Sequence, residues 1–131
     1  MRIDHAALAA EDPAALSAWY EQWFGLQEEG RLVSPTRPPV IFLRDDAEQR
    51  LEIVPGRPSP WARENGFATH VAFSTDEIDV DMKRLQGSGI RIVEQRTTSA
   101  GWKIAYFCDP AGNLLEMVQR WTHESESGGR K

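Results

Sequence analysis

Four polar residues, each set alone in an apolar strand-like run, recur in this chain on one spacing. Glu52 lies in RLEIVP and Glu116 in NLLEMV, 64 residues apart, while His5 lies in IDHAAL and His70 in GFATHVAF, 65 apart. Within the halves, the histidine precedes its glutamate by 47 and by 46 residues. A shared register of this kind points to two copies of one supersecondary module and limits the fold accordingly.

The intervening sequence supports the duplication. Met1 to Ala10 alternates as a strand until EDP stops it, with Asp12 and Pro13 supplying N-cap and first-turn signals. Leu16, Trp19, Tyr20, Trp23 and Phe24 then recur at helical spacing up to Gly25. Three strands are expected next, at Gln27–Val33, Pro39–Leu43 and Arg50–Val54, separated by the turn-rich SPTRP and DDAEQ. The order then repeats. Ala68–Ser74 reads as a strand with His70 inside it, and STDEIDVDMKRLQGSGI as a helix. That helix is capped by Ser, Thr or Asp, is apolar at Ile78, Met82 and Leu85, and ends at Gly87 or Gly89. Arg91–Gln95, Trp102–Phe107 and Asn113–Gln119 complete the second half, the last two joined by the turn CDPAGN.

Each half therefore reads β-α-β-β-β, an α+β chain of two tandem βαβββ modules. Residues 1–54 form the first module, the proline-rich 55–66 a linker, 67–120 the second module, and the polar 121–131 a disordered tail. A net charge of −5 excludes nucleic acid and anionic membranes as partners, for no basic stripe exists to neutralise phosphates. The single cysteine, Cys108, excludes an intrachain disulfide framework and fits a reducing cytoplasm. No apolar run is long enough for a signal or a membrane span.

Strand alternation places His5 and Glu52, or His70 and Glu116, on the face opposite the helix-covered residues. A carboxylate there is expensive unless it is paired, hydrogen-bonded or bound to a metal. If the open faces of the two halves meet, two imidazoles and two carboxylates converge. That donor set suits a divalent first-row ion with room for one or two waters. Trp61 in the linker and Trp102 at a strand start are candidates for the mouth of a substrate pocket. Tyr106 faces the cavity if the WKIAYF alternation starts with Trp102 inward. Trp19 and Trp23 suit core or dimer packing, Cys108 reads as a small buried residue, and His123 in the tail receives no role.

The stretches IDHAAL, RLEIV, THVAF and FCDPAGNLLEMV together resemble the vicinal oxygen chelate superfamily over roughly residues 2–119. This is the group of glyoxalase I, methylmalonyl-CoA epimerase, fosfomycin resistance proteins and extradiol dioxygenases. The resemblance implies a cupped, half-barrel mixed sheet of glyoxalase-like fold. It is nearest to glyoxalase I, whose ligand pattern of His or Gln, Glu, His, Glu falls on His5, Glu52, His70 and Glu116. The epimerase carries Gln at the place of Glu52, and the dioxygenases and fosfomycin transferases lack a carboxylate ligand there.

The resemblance further implies a metal-dependent lyase or isomerase acting through a metal-bound enediolate. Glu116 would leave the ion to take a proton beside a carbonyl, with Glu52 as its mirror-image partner. One divalent ion per site is implied, Ni or Zn foremost, with Co, Mn and Fe sharing the donor preference. A homodimer is implied as well, with a small substrate bearing vicinal oxygens, a thiol adduct included. The arginines and asparagine that hold glutathione in glyoxalase I have no counterpart around Ala7 and Ala9 or after Glu52, and Arg37, Arg57, Arg63 and Lys103 read as solvated charges. Epimerase, thiol transferase, extradiol dioxygenase and small-molecule binding or resistance protein stay open as alternatives.

Overall fold

The computed structural model describes residues 1–59, 61 and 66–121. The expected tail, His123 and most of the second half of the expected linker, Arg63 included, lie outside the described residues. Backbone contacts divide the chain into two compact units, Met1–Pro60 with Pro110–Asn113, and Trp61–Asp109 with Leu114–Lys131.

The first unit contains β1 (His5–Ala10), α1 (Pro13–Phe24), β2 (Gln27–Leu32), β3 (Val40–Arg44) and β4 (Arg50–Pro55). Its four strands form a mixed sheet in the order β1-β4-β3-β2, with β1 parallel to β4 and the other pairs antiparallel. Asp12 accepts a hydrogen bond from the Ala15 amide at 3.1 Å, and Gly25 ends α1 at φ +69, a left-handed value that glycine adopts freely. Leu16 and Tyr20 of α1 are buried, as are Ile41, Leu43, Leu51 and Ile53 of β3 and β4. The odd-numbered face of β3 and β4 is thus the core, which leaves Phe42 and Glu52 on the other face.

The second unit repeats the plan with β5 (Val71–Ser74), α2 (Ile78–Gly87), β6 (Ile92–Thr97), β7 (Lys103–Cys108) and β8 (Leu114–Gln119). The sheet order β5-β8-β7-β6 matches that of the first, again with only the first pair parallel. Ile78, Met82 and Leu85 of α2 are buried as the sequence spacing predicts, as are Ala105, Phe107, Leu115 and Met117. A fully buried Leu, Ile, Met or Phe side chain contributes about 1.5–3 kcal/mol of hydrophobic free energy.

Three local expectations are corrected. β1 starts at His5 rather than Met1, because β4, its partner, begins at Arg50. His70 precedes β5 rather than lying within it, since its ring nitrogen is engaged with the Phe67 carbonyl while β5 starts at Val71. The start of α2 has no side-chain cap from its own N-cap residue, Glu77. Instead the buried Gln119 at the end of β8 accepts from the Ile78 amide at 2.8 Å.

The turn of CDPAGN has a further structural part to play. Asn113 accepts from the Ala9 amide at 3.2 Å and donates to the Ala9 carbonyl at 2.8 Å. Its amide thereby satisfies both backbone polar groups of one β1 residue.

Candidate metal centre

In the first unit Ala7 lies opposite Glu52, and His5 sits two residues earlier on the same strand face. In the second, Ala72 lies opposite Glu116, and His70 again sits two residues earlier. The duplicated spacing therefore has a geometric meaning: it brings one imidazole beside one carboxylate, twice. His5 Nε2 lies 3.6 Å from Glu52 Oε1, and His70 Nε2 lies 3.1 Å from Glu116 Oε1. The glutamate side chains are 20 % and 14 % exposed.

The other ring nitrogens fix the tautomers. His70 Nδ1 lies 2.6 Å from the Phe67 carbonyl oxygen, which can only accept, so Nδ1 carries the proton and donates. His5 Nδ1 donates in the same way to Asp4 Oδ2 at 2.8 Å. Asp4 is held below the usual carboxylate range by that hydrogen bond, against partial desolvation and with help from Arg50. Both Nε2 atoms then present lone pairs toward carboxylate oxygens, an acceptor facing an acceptor, and a proton or a metal ion is needed to reconcile them. Histidine ligands to metals ordinarily show this pattern, the second nitrogen donating to a carboxylate or a backbone carbonyl.

The distances suit a metal. With metal–ligand bonds of about 2.1 Å, neighbouring donor atoms stand about 3.0 Å apart at right angles and about 3.4 Å at the tetrahedral angle. The two N···O separations lie at and slightly beyond that range. Among the described residues no group of three or more His, Cys, Asp or Glu side chains is gathered to hold an ion. The structure thus brings the four sequence candidates together as two pairs.

An aromatic ring stands against each pair. Phe42 lies across β3–β4 from Glu52, and its ring meets His5 edge to face at 5.6 Å. Tyr106 lies across β7–β8 from Glu116, and its ring meets His70 edge to face at 5.2 Å. The Tyr106 hydroxyl is pushed above its ordinary pKa, first by burial, then by the charge of Glu116. Phe67 stacks on Tyr106 at 4.2 Å and Trp61 on Phe67 at 5.5 Å. The Trp61 indole N–H is fixed by the Gly66 carbonyl at 2.9 Å. Trp102 lies farther along the same face, against the cluster of Ile104, Tyr106, Leu114 and Val118, with the Arg120 guanidinium 4.2 Å from its ring centroid. Glu116 shares its face of the sheet with this largely apolar cluster. Cys108, at the end of β7, packs on that cluster, and burial pushes its thiol pKa up.

Three contributors escaped the sequence reasoning. Asp4 is one, and its signal was adjacency to His5. Phe42 is another; the 64-residue offset that links Glu52 to Glu116 also links Phe42 to Tyr106. The Phe67 carbonyl is the third, and as a backbone group it leaves no trace in side-chain patterns. A polar cavity of about 530 Å³ in the first unit, lined among others by Arg2, Asp4, Glu48 and Arg50, adjoins this pair through Asp4.

Comparison with known proteins fits this architecture. The family model of the Glyoxalase/Bleomycin resistance protein/Dioxygenase superfamily matches residues 2–117. No curated protein matches the sequence. Among solved structures, lactoylglutathione lyase from Agrobacterium tumefaciens is 26% identical with a TM-score of 0.67, covering 90% of this chain and 92% of its own. A glyoxalase family protein from Enterococcus faecalis is 24% identical, covering 89% and 96%, with a TM-score of 0.72. The fosfomycin resistance protein FosX from Listeria monocytogenes, solved with Mn(II) and sulfate, is 18% identical, covering 96% and 97%, with a TM-score of 0.74. The last two show the fold alone. Among the described residues no helix is long and apolar enough to cross a membrane.

Proposed function

The chain belongs to the Glyoxalase/Bleomycin resistance protein/Dioxygenase superfamily, and on that premise we propose that it is a divalent-metal-dependent lyase or isomerase of the glyoxalase I type. His5, Glu52, His70 and Glu116 would hold one ion, Ni or Zn foremost, with Co, Mn and Fe sharing the N/O preference. The observation that carries the reading is the repeated pair: an imidazole Nε2 facing a carboxylate oxygen, with Nδ1 committed elsewhere. The ion would supply a Lewis acid that polarises a substrate carbonyl and offsets the negative charge formed beside it.

The chain's own residues account for the proton. One glutamate carboxylate accepts the hydrogen from the carbon next to the carbonyl, and the electron pair of that C–H bond moves toward the carbonyl oxygen. The resulting carboxylic acid returns the proton to the former carbonyl carbon while the proton of the adjacent hydroxyl passes to the former carbonyl oxygen, so the net change is an isomerisation with no oxidant. Ile104, Tyr106, Leu114 and Val118 form a buried apolar cluster on the sheet face that carries Glu116. Trp61, Trp102 and Tyr106 would line the approach to the ion. The substrate class is a small molecule with vicinal oxygens, a thiol adduct of a 2-oxoaldehyde included, and the working form a cytoplasmic homodimer.

Metal-loaded protein should convert the hemithioacetal of a 2-oxoaldehyde and a thiol into the 2-hydroxy thioester. Stripping the ion should abolish turnover, and Glu52→Gln or Glu116→Gln should lower it by roughly 10²–10⁴-fold. Turnover that survives chelation, or both substitutions, sinks the reading.

A further inference from the structure

The two histidines of the candidate centre are held in place by different means. His5 lies inside β1, where the ladder to β4 sets its backbone opposite Arg50. His70 lies one residue before β5, and the ladder to β8 begins only at Val71. The turn that leads to it, Gly66 to Thr69, exposes Ala68 and Thr69 to solvent. Its purchase on the unit comes from Phe67. That ring stacks on Tyr106 with centroids 4.2 Å apart and planes 19° apart, and Trp61 in turn stacks on Phe67 at 5.5 Å. The Trp61 indole N–H donates to the Gly66 carbonyl at 2.9 Å, so the same side chain also ties down the residue before Phe67. At the other end of the stack, Tyr106 lies across β7–β8 from Glu116 and meets His70 edge to face. The 65-residue offset that relates His70 to His5 relates Phe67 to Arg2, an exposed cation, so the first unit has no ring at that place.

We propose that the stacked rings of Trp61, Phe67 and Tyr106 form a clamp that keeps His70 open as a metal ligand, with Phe67 and Trp61 acting as positioning residues through the Phe67 carbonyl. This rests on the metal-dependent reading above and concerns the second unit alone. His70 Nδ1 donates to the Phe67 carbonyl at 2.6 Å, which leaves a lone pair on Nε2, 3.1 Å from Glu116 Oε1. A competing arrangement lies within reach. With its proton on Nε2 the same ring would donate to Glu116, because 3.1 Å is hydrogen-bond length. That bond would occupy the ligating nitrogen and a carboxylate oxygen together, and an ion would have to break it. Which ring nitrogen carries the proton is decided by the hydrogen bond the other one makes. The Phe67 carbonyl decides it here, and it does so only while the turn holds that oxygen in line with Nδ1. No ladder bond fixes the turn, so the task falls to the ring of Phe67 and to the indole that covers it.

The full chain without metal tests the clamp directly. Long-range proton–nitrogen NMR correlations distinguish the two tautomers of His70 at a pH where the ring is neutral, and His70→Gln assigns the signals. The parent protein should carry the proton on Nδ1. Phe67→Ala should move it to Nε2, and should weaken the binding of Co(II) alone, read by chelator competition, by roughly 10- to 100-fold, the range for a disturbed partner behind a histidine ligand. Trp61→Ala should shift both readings in the same direction and by less. Phe67→Tyr, which keeps the ring, should restore the parent tautomer and the parent affinity. The His5 tautomer, set by Asp4 in the other unit, should stay unchanged in every variant, a distinction that general loosening of the fold would not produce. Circular dichroism separates a misfolded Phe67→Ala from an informative one, and Trp61→Ala decides the matter if that variant misfolds. An Nδ1 proton retained in both alanine variants overturns the proposal, as does a tautomer that shifts while Co(II) affinity holds. A parent protein that binds no Co(II), Ni(II) or Zn(II) overturns the metal-dependent reading itself, whereas the spectra decide the clamp with no metal present.

Discussion

Divalent ions should raise the unfolding temperature of the metal-free protein, and each of the four proposed ligands should be needed for the full effect. A ligand that binds only the folded state at 100 times its Kd stabilises it by about 2.7 kcal/mol. A chain of 131 residues unfolds with an entropy near 0.27 kcal/mol/K, so Tm should rise by about 10 °C. The geometry gives the reason that one missing ligand matters so much. His70 Nε2 and Glu116 Oε1, 3.1 Å apart, are spaced as neighbouring ligands of one ion. His70→Ala leaves the carboxylate to bind alone, as His5→Ala does for Glu52. If the loss weakens Kd by about 100-fold, the same ion concentration merely equals Kd. Stabilisation then falls to about 0.4 kcal/mol, or about 1–2 °C. Scanning calorimetry of chelator-stripped protein against buffered Ni(II), Zn(II), Co(II), Mn(II) and Fe(II) makes the comparison. An upward shift in His5→Ala and His70→Ala equal to that of the parent protein would refute the reasoning, as would no shift with any of the five ions.

Two other outcomes follow from side chains outside the proposed ligand set. Gln119→Leu removes the acceptor of the Ile78 amide at the start of α2, leaving a buried donor unpaired. It should destabilise the protein by about 1–3 kcal/mol in urea melts with the m-value unchanged. Cys108, its thiol pKa raised by burial and secondarily by Asp109, should alkylate more slowly in the native protein than in the urea-unfolded chain, with its midpoint at higher pH. The raised pKa means the folded state keeps a proton that the unfolded chain has already lost. The corresponding stability is therefore fully present below the unfolded thiol's pKa and lost as pH rises through the folded value. Cys108→Ala should flatten that alkaline decline, and an unchanged pH slope would count against burial as the cause.

The fold was legible where burial alone decides structure. Apolar residues at odd positions of Ile41–Leu43 and Leu51–Ile53, or at helical spacing through Ile78, Met82 and Leu85, have one buried face available to them, and they take it. Element ends were less legible because distant groups decide them. The start of β1 depends on where β4 begins, and the α2 cap comes from Gln119, 41 residues later. A Ser/Thr/Asp signal near a helix start identifies side chains able to cap, and tertiary contacts choose the acceptor. His70 shows the same competition. A strand pattern runs through it, yet a 2.6 Å hydrogen bond to the Phe67 carbonyl accompanies the chain just outside β5.

The candidate site was legible through its duplication rather than through its composition. One glutamate in a strand carries little information, whereas two pairs at matching offsets require a common geometric role. Duplication also hides what matters next, since a pattern that equates Glu52 with Glu116 draws attention from the neighbours that distinguish them. The divergent positions inside a conserved register, Phe42 against Tyr106 and Asp4 against the Phe67 carbonyl, carry the chemical asymmetry.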